Sequence, residues 1–146
     1  DGRHLLHTTN VSQPEQPRSR LLPAGDYGFS NAELGATWPK CVDGAKRLGA
    51  LADDNHTNHQ LIELLNDQEK PADDRLPNRG VPIERERHLA SCFISDSHYG
   101  TRASTVVRVS RQEIYFAEQT YLPEGVMGSK VEFEFAIESI ETSAEV

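Results

Sequence analysis

Near the end of the chain, Val131, Phe133 and Phe135 alternate with Lys130, Glu132 and Glu134, and Ile137 continues the apolar set. A period of two is that of a strand burying one face. The stretches LASCFIS, STVVRVS and EIYFAEQTY before it are rich in β-branched and aromatic residues, so the C-terminal third reads as an antiparallel meander. Upstream the period lengthens. From Pro39, the residues Val42, Ala45, Leu48 and Ala52 recur at helical spacing, with Thr37 placed to cap and Pro39 suited to the first turn. A second helix is predicted through Leu61, Ile62, Leu64 and Leu65, capped by Asn55 or Thr57 and ending near Asp67.

The flanking segments carry weaker patterns. Leu5 to Thr9 is short and β-prone, and Tyr27 to Ser30 reads as another strand. Between them, VSQPEQPRSRLLPAGD holds three prolines and reads as a connection. QEKPADDRLPNRGVPIERER, polar and with three prolines of its own, predicts a long surface loop. Strand, two helices, then several strands gives an α+β class in which helices cover one face of an antiparallel sheet.

Composition narrows the partners more than it names them. The 146 residues suit one domain, and an apolar fraction of 36% is thin, so the core is modest or completed from outside the chain. A net charge of -8 repels phosphate backbones, so no nucleic-acid partner is expected. No run reaches the roughly 18 apolar residues of a membrane span. Cys41 and Cys92 are the only thiols and form no CxxC motif, which points to a reducing compartment and a cytoplasmic location.

Two polar residues stand out. Arg102, after Tyr99-Gly100-Thr101 and before an apolar strand, can offer a bidentate donor fork to a carboxylate or phosphate; spacing alone favours a structural ion pair. Asn31, closing the predicted strand, can donate to an oxyanion, or can simply form an Asx turn or helix cap. Other candidates have simpler readings. Trp38, Tyr27 and Phe29 read as packing residues, and His56 and His59 share a helix without a third metal ligand. His4 and His7 fall on opposite faces of a strand. Cys92 reads as a buried small hydrophobe, and Cys41 as packing in a helical first turn where a thiolate would be favoured. Glu84 to Arg87 reads as a self-neutralising solvated stretch. No metal and no cofactor is expected, and there is no phosphate loop or adjacent nucleophile and base.

Taken together and in order, HLLHTTN, LLPAGDYGFSNA, TWPK and YGTRASTV resemble the NRDE family, also called the transport and Golgi organisation protein 2 family. The likeness spans nearly the whole chain. Members of that family begin Met-Cys and carry the Asn-Arg-Asp-Glu motif in an N-terminal half. Neither feature occurs here, so residues 1–146 are expected to form a single partial domain, the C-terminal half.

The resemblance implies half of an αββα sandwich like that of N-terminal nucleophile hydrolases, in which a processed Cys attacks a linear amide bond. By that analogy Asn31 would stabilise the oxyanion and Arg102 would order the electrostatics around the nucleophile. The missing N-terminal half would be the partner, and a small N-acyl compound the substrate of the full-length protein. The alternative implied by eukaryotic members is haem or acyl-lipid binding without catalysis, with mitochondrial or Golgi association. His56, His59 and His98 are then conceivable haem ligands.

Overall fold

A computed structural model describes residues 4–10, 18–52 and 57–138. Its first strands, β1 (Leu5–Thr8) and β2 (Ser19–Leu22), pair antiparallel with Leu5 opposite Leu22 and Thr8 opposite Ser19. β2 thus lies inside the segment expected to be a connection. Its arginine and serine carry no alternation that would have marked a strand.

Helix α1 (Pro39–Ala52) starts as expected from Pro39, which lacks the donor that a first helical position leaves unused. Its first turn closes on the Trp38 carbonyl, which accepts from the Cys41 and Val42 amides at 2.9 and 3.1 Å. Helix α2 (Asn58–Leu65) is capped by Thr57. Gln60 N–H donates to Thr57 Oγ1 at 3.3 Å and Thr57 N–H to Gln60 Oε1 at 2.7 Å, a reciprocal capping box. Asn55 and His56 fall outside the described residues.

The predicted long loop contains a third helix, α3 (Ile83–Leu89), after a 3-10 turn at Asp73–Arg75. Glu84 and Glu86 occupy its first turn and Arg87 and His88 its last, the arrangement that suits the helix dipole. Glu84 to Arg87 is self-neutralised only in part. Glu86 is buried and pairs with Arg79, while Arg87 hydrogen-bonds Asp73 at 2.8 Å and only approaches Glu84 at 3.6 Å.

The meander forms as β3 (Ala103–Val109), β4 (Glu113–Tyr121) and β5 (Met127–Ala136), an antiparallel sheet in the order β3-β4-β5. Val106 faces Ala117, and Phe116 faces both Val107 and Phe133. α2 lies over one side. Ile62 joins Val106, Tyr115 and Ala117 in the core, with Leu61 and Leu65 packed at its edge.

Three expectations fail here. LASCFIS is not a strand, because its backbone finds partners in loops: Phe93 N–H donates to Asp67 O at 2.7 Å and Ile94 N–H to Thr101 Oγ1 at 3.0 Å. Tyr27 to Ser30 is irregular too. Gly28 is pressed against α1 so closely that a Cβ would stand 2.1 Å from the Cys41 carbonyl oxygen, a packing role that its aromatic neighbours disguise as strand propensity. Finally, the apolar face of β5 is not buried within the described residues: Phe133 and Phe135 are 51% and 53% exposed.

Candidate functional site

Asn31 sits in a bend after the irregular segment, exposed to solvent. Its Oδ1 accepts the Ser30 hydroxyl at 3.0 Å, and no described hydrogen bond uses its Nδ2. Ser30 belongs to the wall of a cleft of about 370 Å³ bounded by α1 and α2.

Arg102 is placed by a tightly built turn. Asp96 Oδ1 accepts the amides of His98 and Tyr99 at 2.8 and 3.2 Å, and these two bonds hold the carboxyl below its ordinary range. Thr101 N–H donates to Ile94 O at 2.9 Å, and Gly100 passes so near that a Cβ would meet the same oxygen at 2.8 Å. A glycine is required there by space. Glu124 N–H donates to Asp96 O at 3.0 Å and ties the turn to the β4–β5 connection.

The Arg102 carbonyl accepts Tyr121 N–H at 2.8 Å, while its guanidinium has no ion pair among the described residues. The structural ion pair that spacing favoured is not formed among the described residues. Its side chain lines a cavity of about 60 Å³ together with Asp96, His98 and Leu122. No described cavity takes its lining from both Asn31 and Arg102.

The open face of the sheet is graded. Next to Arg102 it carries Thr105, which donates to Glu118 Oε2 at 2.8 Å, and Thr120, which donates to Ser129 O at 2.9 Å. Farther along come Val107, Val109, Phe116, Phe133 and Phe135. A polar end therefore adjoins the turn that presents Arg102.

The remaining candidates are engaged elsewhere. His59 pairs with Glu63 at 3.3 Å, His7 lies edge-on to Phe29, and His98 Nδ1 meets Ser97 Oγ at 2.7 Å. Among the described residues no three His, Cys, Asp or Glu side chains gather as metal ligands. Cys41 is buried as expected, and burial pushes its thiol up against the lowering effect of the Lys40 charge. Cys92 is half-buried with its thiol raised for the same reason.

Sequence reading missed one cluster. The Arg79 guanidinium lies over Trp38, 5.1 Å from the ring centroid, and Glu86 accepts both the Arg79 backbone N–H and its Nε at 2.7 Å. Lys40, two residues beyond Trp38, donates to Leu89 O at 3.1 Å. Only the adjacency of Trp38 and Lys40 was visible in the sequence; Arg79, Glu86 and Leu89 arrive through the fold.

These features define a mixed α+β protein: a three-stranded antiparallel sheet with helical cover on one face, a small two-stranded sheet, and among the described residues no helix long and apolar enough to cross a membrane. The chain belongs to the Transport and Golgi organisation 2 family, whose sequence model matches residues 2–123. The matched range includes Asn31, Trp38, Lys40 and Arg102 and ends before β5. No curated protein and no solved structure matches the chain.

Proposed function

We propose that this chain forms one sheet-and-helix half of an αββα amide hydrolase of the N-terminal nucleophile type. A second sheet, from an N-terminal half, covers Val107, Phe133 and Phe135 and brings the nucleophilic Cys. The supporting observation is the sheet itself: among the described residues it has helix on one face, an uncovered apolar surface on the other, and an Arg102 without an ion pair beside the polar end of that surface. Stacked sheets pack about 10 Å apart, so the polar end becomes a bounded site when the apolar end is covered. On this reading Arg102 orders the charges around the thiol, and the Asn31 amide, which shares no described cavity with Arg102, donates to the oxyanion of the tetrahedral intermediate once the N-terminal half completes the site.

The haem-binding alternative gains no particular observation, since His59 and His98 already have side-chain partners. The test of the hydrolase reading is cleavage of N-acyl amino acids by the full-length protein carrying this chain. Asn31→Ala is expected to lower kcat by about 10²- to 10³-fold, the cost of one oxyanion donor. If Asn31→Ala and Arg102→Ala both leave the rate unchanged, the assigned roles are wrong.

A further inference from the structure

Lys40 is the one charged residue among those lining the cleft of about 370 Å³, whose other walls include Tyr27, Phe29, Leu48 and Leu64. The lysine is half-buried, and its ammonium has a single described acceptor, the Leu89 carbonyl oxygen. An ammonium carries three donors. The groups acting on its charge are Arg79, of like sign, and the thiols of Cys41 and Cys92. Lys40 also borders a neighbouring cleft that holds Asp43, Asp67 and Glu69, but Asp67 is committed to Arg47 and Asp43 to Arg75, and none of the three carboxylates is among the groups acting on the lysine. Burial first, and Arg79 second, hold the lysine below its ordinary pKa. A charge drawn out of water without a counter-charge is costly, and natural sites supply one.

The chemistry of the cleft selects what that counter-charge would be. One ammonium, with no second cation in the lining, suits a monoanion rather than a phosphate. The walls are aromatic and aliphatic, and the volume lies at the small end of the range of roughly 300–1,000 Å³ for ligand sites. We propose that this cleft binds a compact organic carboxylate, its apolar body against Tyr27, Leu48 and Leu64 and its carboxylate on the Lys40 ammonium. The site lies on the helical side of the molecule and does not depend on the hydrolase reading.

The test is an NMR titration of the ¹⁵N-labelled chain with phenylacetate, and with phenylacetamide as a neutral control of the same shape. Phenylacetate is expected to saturate shifts at the amides of Gly28, Gly44 and Ala45, and to bind at least about tenfold more tightly than the amide, or 1.4 kcal/mol. Bound carboxylate should also raise the pH at which the Lys40 Cε resonance titrates. Lys40→Met should reduce phenylacetate to the level of phenylacetamide, whereas Lys40→Arg keeps most of the difference. Equal affinity for acid and amide in the unmodified chain overturns the proposal, as do shifts confined to residues 107–135 or an unmoved Lys40 titration. These three readouts use the unmodified chain, so they decide the matter even if Lys40→Met does not fold.

Discussion

The two faces of the β3–β4–β5 sheet are built by the same strands and meet different surroundings. On the helix side Val106, Tyr115, Ala117 and Tyr121 are each at most 7% exposed. On the other side Val107, Val109, Phe133 and Phe135 are each more than half exposed. The more apolar face is the open one. What holds the covered face together is as much polar as apolar: Tyr121 donates to Asn66 Oδ1 at 2.6 Å, Tyr115 to Glu132, and Gln119 Nε2 to the Gly128 carbonyl at 3.1 Å. Such bonds fix register, because a one-residue slip would send every one of these groups to the wrong side. The open face contributes little to the fold as described, and burying a Phe is worth about 1.5–3 kcal/mol to whatever covers it.

The largest effect that tests this contrast lies on the covered face. Tyr121 packs edge-on to Phe93 with ring centroids 4.7 Å apart and also holds Asn66. Tyr121→Ala removes a buried ring and orphans a partner, for an expected loss of about 3–5 kcal/mol in urea unfolding. Tyr121→Phe should keep most of the packing and lose about 1 kcal/mol. A small loss for Tyr121→Ala would mean that the helix-side core does not carry the fold.

A second, smaller effect comes from the charged cluster beside α1. Hydrogen bonds from Arg79 hold the Glu86 carboxyl below its ordinary range. A carboxyl depressed by folding stabilises the native state above its unfolded pKa, and that contribution is lost as pH falls through the folded value. The window therefore opens near pH 4.5 and extends downward. Glu86→Gln should lower Tm at pH 7 by about 3–6 °C and make its fall below about pH 5 less steep. Asp67 and Asp73, depressed by Arg47 and Arg87, keep part of that acid slope in the variant. An acid limb that is unchanged would show that Arg79 and Glu86 do not pair in solution.

Which parts were legible follows from how local their causes are. α1 and α2 could be read because their apolar spacing and the Thr57 cap lie within or beside each helix, and β3 to β5 because strand pattern and composition are local, whereas β2 carries no such pattern. α3 could not be read, since its anchor is Glu86 reaching back to Arg79 across a turn containing Pro82. The 27–30 segment was misread because Gly28 answers to the distant Cys41 backbone rather than to a strand partner. Alternation also announced that one face of β5 would be covered, without saying by what. Asn31 and Arg102 drew attention as polar residues at structural boundaries, and the family resemblance gave them roles. Lys40 drew none, because its lack of a counter-charge arises only when the fold commits Asp67 to Arg47 and Asp43 to Arg75.

The smallest expected effect sharpens the comparison from the other side. Phe133 meets the rings of its sheet neighbours, 6.2 Å from Phe116 and 6.1 Å from Phe135 between centroids, and half of its surface is exposed among the described residues. Phe133→Ser therefore changes an exposed position and should shift unfolding by no more than about 0.5 kcal/mol. The same variant should weaken fluorescence from a dye that binds apolar surface, because it divides a patch larger than single exposed residues make. A loss several times larger would mean that the face is covered in solution. Sedimentation would then show whether a second copy covers it, since in that case the unfolding midpoint must also rise with protein concentration.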